Sequence, residues 1–121
     1  MFKHSVFTFL VALCGFALAP AALAHGVLEN ASPLAGAVLD TTPAQIRLQF
    51  NEALEANFSK ITLTDAAGTV LATPASQVEP GHPDVMVLTP PALASGAWQV
   101  NWSTLTRDGH RRKGDYSFRV K

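Results

Sequence analysis

Short runs in which apolar and polar residues alternate dominate the chain beyond residue 25, and no stretch of useful length carries a helical period. Ile46, Leu48 and Phe50 alternate with Arg47, Gln49 and Asn51. Ile61 and Leu63 alternate with Thr62 and Thr64, and Asp65-Ala66-Ala67-Gly68 then reads as a turn into Thr69-Val70-Leu71. Asp84 to Leu88 is a further short apolar run. Trp98, Val100 and Trp102 share one face of the next, and Tyr116, Phe118 and Val120 one face of the last. Period two in runs this short is the mark of antiparallel strands. Prolines at positions 33, 43, 74, 80, 83, 90 and 91 fall almost entirely between these runs, where they cost no ladder donors. About seven strands with such punctuation predict an all-β chain, a Greek-key, immunoglobulin-like β-sandwich of two sheets. Ala53 to Phe58 is expected to form a helical turn, and Thr73 to Pro83 an exposed loop. No repeat, linker or second domain is evident.

The first 24 residues follow another pattern. Lys3 supplies a positive start, Val6 to Leu18 are apolar apart from Thr8 and Gly15, and Pro20 leads into Ala22-Leu23-Ala24. A short apolar run closed by a small-x-small triplet is the signature of a secretory signal peptide, and is too short and wrongly flanked for a membrane anchor. Residues 1–24 are therefore expected to be a cleaved signal peptide and residues 25–121 a single exported domain. Removing 24 of the 121 residues leaves 97, and takes away the one Cys and one of the 9 Lys+Arg, against 9 Asp+Glu that all remain. The near-neutral balance offers no basic footprint for nucleic acid. Without cysteine, neither a disulfide nor a thiolate ligand is available, so stability must come from a packed core.

Cleavage after Ala24 would make His25 the first residue, with an α-amine and an imidazole able to chelate one metal ion together. His110 lies in Arg107-Asp108-Gly109-His110-Arg111-Arg112-Lys113-Gly114, which is expected to join the last two strand candidates. If that segment is extended, Asp108 and His110 point to the same side, with Gly109 leaving no side chain between them. Amine, two imidazoles and a carboxylate make three nitrogens and one oxygen, a set suited to a Cu(II) plane. Asp-Gly is also a common turn dipeptide on a solvated hairpin, which is the plain alternative. His82, in Pro80-Gly81-His82-Pro83, is expected to be an exposed loop residue, while Met86, Trp98 and Trp102 are expected in the core.

These residues, in order, resemble the copper resistance protein C (CopC) family of periplasmic copper-binding proteins. The likeness runs from His25 through Ala31-Ser32-Pro33-Leu34-Ala35-Gly36-Ala37-Val38-Leu39, Pro43 to Glu52, and Gly96 to Trp102. It ends on Asp108-Gly109-His110 and Gly114-Asp115-Tyr116-Ser117-Phe118. The resemblance implies a non-enzymatic periplasmic protein that sequesters or carries one Cu(II) on His25, Asp108 and His110. It also implies Glu52 beside the ion, orienting a ligand, and a membrane copper transporter of the CopD type as partner. Two departures stand out: Arg111 follows His110 where many members have proline, and a Met-rich Cu(I) loop is missing. Because the amine and imidazoles must lose protons to bind, copper release is expected to steepen below about pH 6. The rival readings are a copper-dependent oxidase with the same terminal-His geometry, as in lytic polysaccharide monooxygenases, and a metal-free assembly sandwich.

Overall fold

The computed structural model describes residues 27–121; the expected signal peptide and His25 lie outside the described residues. Among the described residues, eight strands and one short 3-10 helix follow one another. They are β1 (Leu28–Ser32), β2 (Val38–Leu39), β3 (Ile46–Phe50), η1 (Ala56–Phe58), β4 (Lys60–Thr64), β5 (Gln77–Val78), β6 (Val85–Leu88), β7 (Gly96–Leu105) and β8 (Arg111–Val120). They form two four-stranded sheets, ordered β1-β3-β6-β5 and β2-β8-β7-β4. Only β5–β6 and β7–β8 are hairpins within one sheet; every other connection carries the chain to the opposite sheet. The expected sandwich is the architecture observed.

The alternation read in the sequence is the alternation of burial. Along β3, Ile46, Leu48 and Phe50 are buried, while Arg47 and Gln49 lie between them at the edge of solvent. Ile61 and Leu63 of β4, Trp98 and Val100 of β7, and Phe118 and Val120 of β8 close the core from the other sheet. Burying a side chain of this size is worth about 1.5–3 kcal/mol, so a core of this kind replaces the staples a cysteine-free domain lacks. Met86 is fully buried in β6, as expected. Trp98 is buried with its indole nitrogen donating to the Ala94 carbonyl (2.9 Å). Trp102 is only half-buried, packed edge-on to Phe50 (centroids 6.3 Å apart) and tilted against Tyr116 (6.2 Å). It lies opposite Gly114, the one residue type that leaves room for its ring.

Three local expectations change. The segment 73–83 is not all loop: Gln77–Val78 form an edge strand on β6. The helical turn narrows to Ala56–Phe58. The stretch Arg111–Gly114 belongs to β8, which pairs residue for residue with β7 from Leu105↔Arg111 to Gly96↔Val120. The connection carrying Asp108 and His110 is therefore only residues 106–110, a tight turn at the tip of a long hairpin. A hairpin this long continues past the core because main-chain pairing needs no apolar side chains.

Candidate metal centre

One end of the sandwich collects segments far apart in sequence. At the start of the described chain, Val27 and Asn51 hold each other: the Val27 amide donates to Asn51 Oδ1 (2.9 Å), and the Asn51 amide donates to the Val27 carbonyl (3.0 Å). Glu52 follows directly. The next residues are stitched to the end of β7: Leu54 bridges Thr106, the Glu55 amide donates to the Leu105 carbonyl (2.8 Å), and the Arg107 amide donates to the Ala53 carbonyl (3.1 Å). The chain entering β1, the chain leaving β3 and the β7–β8 turn thus share one edge.

Within the turn, His110 Nδ1 lies 3.0 Å from Asp108 Oδ1. The two side chains come together as expected, but not through an extended segment. The Gly109 amide donates to the Thr106 carbonyl (2.9 Å), and Gly109 adopts φ +91°, a conformation that side chains rarely tolerate. Glycine is required here for the fold of the turn, not only for clearance. A hydrogen bond between Asp108 and His110 suits the protein without an ion. The same spacing suits a bound ion, because two donors each about 2.0 Å from one metal and at right angles lie about 2.8 Å apart.

Thr106 is the residue that sequence reasoning missed. Its side chain is buried, with Oγ1 accepting from the His110 amide (3.0 Å) and donating to Asp108 Oδ1. This hydroxyl first, and His110 second, hold the Asp108 carboxyl well below the usual carboxylate range. Glu52 adds the smallest pull in the same direction. Asp108 is therefore an anionic oxygen donor across the neutral and mildly acidic range. The only available signal for Thr106 was its spacing, two residues before Asp108 and four before His110.

Asp108 and His110 supply two donors, and Glu52 approaches one of them. Among the described residues there is no group of three or more His, Cys, Asp or Glu placed to hold a metal, and His25 lies outside them. His82 sits in an exposed turn, its amide donating to the Glu79 carbonyl (3.0 Å). The most marked recesses among the described residues, open and of about 310–520 Å³, are not lined by Asp108, His110 or Glu52. Among the described residues no helix is long and apolar enough to cross a membrane.

Comparison with known proteins gives this geometry a family. The chain is 36% identical over 107 residues to copper resistance protein C of Escherichia coli, covering 83% of this chain and 84% of that one. Its fold is similar to the crystal structure of CopC from Methylosinus trichosporium OB3b, with TM-score 0.76 and 30% identity, over 80% of this chain and 94% of that one. It is also similar to PcoC, a methionine-rich copper resistance protein from Escherichia coli, with TM-score 0.68 and 32% identity, over 81% and 100% of the two chains. The CopC domain matches residues 28–121, so the chain belongs to the CopC family of copper-binding and copper-transport proteins, which are not enzymes.

Proposed function

We propose that this protein is a periplasmic Cu(II) carrier whose single ion is held by the amine and imidazole of His25, by Asp108 and by His110, with Glu52 beside Asp108. Cleavage after Ala24 creates the amine. The observation that supports this most strongly is the convergence just described: Val27 is hydrogen-bonded to Asn51, and two residues on the Ala53 carbonyl accepts from the Arg107 amide, next to Asp108. His25 is two residues before Val27, and two extended residues span about 7 Å at most. A tether this short would hold the terminal donors within reach of the turn, so little entropy would be lost when they close on the ion.

The donor chemistry favours Cu(II) over Cu(I). Nitrogen and carboxylate donors suit Cu(II), whereas thioethers select Cu(I). Of the two methionines in the sequence, Met1 belongs to the expected signal peptide and Met86 is fully buried in the core. Copper is cargo here, bound and passed on unchanged, which agrees with a centre at an exposed edge rather than in a cavity. A membrane copper transporter of the CopD type is the partner that this reading assigns.

The test is a Cu(II) titration followed by electron paramagnetic resonance on two forms, one beginning at His25 and one with a single extra residue before it. The extension keeps every side chain and converts the amine to an amide. Tight one-to-one binding with a tetragonal, multi-nitrogen signal is expected only for the form beginning at His25. Equal, weak binding by both would refute the assignment.

A further inference from the structure

We infer that Thr106 is a positioning residue for copper: its hydroxyl clamps Asp108 and His110 at the separation of two donors on one ion. The inference rests on the ligand assignment proposed above and deepens it. Thr106 is only 1% exposed, so its side chain faces the protein and not solvent. A threonine hydroxyl has one proton to give and lone pairs to receive, and this one uses both. It donates to Asp108 Oδ1 and accepts from the His110 amide at 3.0 Å, with the His110 carbonyl 3.3 Å away. The Thr106 main chain adds two more ties, its amide donating to the His110 carbonyl (2.9 Å) and its carbonyl accepting from the Gly109 amide (2.9 Å).

The opposite polarity of the two hydroxyl partners makes the role specific. A carboxylate needs a donor and an amide needs an acceptor. Valine, with nearly the same shape, supplies neither, and aspartate supplies no proton to the carboxylate. Thr106 is in turn anchored by its bridge to Leu54 and by the adjacent bond from the Arg107 amide to the Ala53 carbonyl. The Asp108 carboxylate and the His110 main chain are thereby both referenced to the core through one buried atom. Hydrogen bonds to a ligating carboxylate are the kind of support that fixes its orientation and tunes its basicity.

Thr104 provides an internal control. It precedes Thr106 by two residues, is equally buried, and has an Oγ1 without a hydrogen-bond partner among the described residues. If a buried threonine at the end of β7 mattered only for packing, the two positions would behave alike.

The experiment is a Cu(II) titration with electron paramagnetic resonance on the chain beginning at His25, comparing the parent with Thr106→Val, Thr106→Ser and Thr104→Val. Urea unfolding and hydrogen exchange at the His110 amide are measured on the same samples. Thr106→Val should lose about 10- to 100-fold in affinity, shift the copper hyperfine signal at saturation, and speed His110 amide exchange. Thr106→Ser should stay within about threefold of the parent, and Thr104→Val should bind as the parent does, by the same scale. Parent-like affinity and signal in Thr106→Val would overturn the inference, as would a Thr106→Ser variant as weak as the valine. If the valine variant does not fold, Thr106→Ala removes the hydroxyl without adding a methyl group and is judged by the same outcomes. A parent chain that binds no copper tightly would remove the ligand assignment and the copper role of Thr106 together. The His110 exchange rates would still show whether the clamp itself exists.

Discussion

Replacing Gly114 with alanine should unfold this domain far more readily than an ordinary surface change on a strand. Gly114 lies opposite Trp102 on the β7–β8 ladder, and a Cβ at Gly114 would sit 2.1 Å from Trp102 Cζ2, 2.6 Å from Cε2 and 2.7 Å from Cη2. Carbon atoms rest at about 3.5–4.0 Å, so the new methyl group would penetrate the ring by more than 1 Å. The indole is rigid and cannot yield as the end of a flexible chain would. It is also confined between Phe50 and Tyr116, so any retreat disturbs two aromatic contacts. Overpacking costs about 1–3 kcal/mol and each lost aromatic geometry about 0.5–1.5 kcal/mol, which places the expected loss near 3 kcal/mol. For a domain of this size that is roughly a 12–24 °C fall in Tm. Urea unfolding followed by tryptophan fluorescence measures it directly. The same substitution in a Trp102→Leu background should cost less than about 0.5 kcal/mol, since leucine can turn aside and alanine suits a strand better than glycine. A Gly114→Ala loss below about 0.5 kcal/mol with Trp102 present would refute the packing account, as would an undiminished loss with leucine.

Tyr116 is the only tyrosine in the chain, and burial pushes its phenol up to about 12. Because the folded value exceeds the unfolded one of about 10, this group's contribution to stability is complete below pH 10 and is lost as pH rises through 12. Ultraviolet titration of the folded protein should show ionisation well above pH 10, and Tyr116→Phe should flatten the alkaline fall in stability; a midpoint near 10 would contradict the burial argument. Met86→Leu should cost less than about 1.5 kcal/mol and leave Cu(II) stoichiometry unchanged, alone or with His82→Ala, as titration would show. Loss of copper from either variant would mean that the centre lies elsewhere.

The sandwich was legible wherever side-chain chemistry dictates which face is buried. Ile46, Leu48 and Phe50 must all point one way, and a register slip of one residue would expose all three. Elements held mainly by main-chain bonds, with only partly buried residues such as Leu28, Leu39 and Val78 against the core, left no such trace. Strand β1, Leu-Glu-Asn-Ala-Ser, pairs with β3 through an irregularity between Leu28 and Asn30 and buries no residue fully. Gln77–Val78 is a two-residue edge strand, and Val38–Leu39 pairs in parallel with Arg119 and Val120. Their existence depends on which neighbour arrives, and composition does not encode that. The charged run Arg111-Arg112-Lys113 reads as loop for the opposite reason: it is strand, but exposed, so its side chains carry no period.

The candidate site shows the same division one level down. Asp108 and His110 were legible as candidates because few residue types can bind copper, but the reason they meet is a turn with Gly109 at positive φ, not an extended segment. Thr106 was illegible because a hydroxyl is ambiguous until its partners are known. Thr104 and Thr106 are alike in type and burial; one finds a carboxylate and an amide, the other no partner among the described residues. What separates them is the turn itself, which folds back over one and not the other. The centre is thus a property of the hairpin's end and of the chain stitched to it at Leu54, Glu55 and Ala53. A rigid sandwich holds its strands but says little about a tip five residues long, so precision at the donors has to be supplied locally, by bonds such as those of Thr106. On the ligand set proposed above, two donors held this way and the terminal donors on a short tether before Val27 would form a site that is ordered on one side and can open on the other. For a carrier that combination would be useful: the fixed pair would set which ion is preferred, and release would begin at the tethered terminus without disturbing the core.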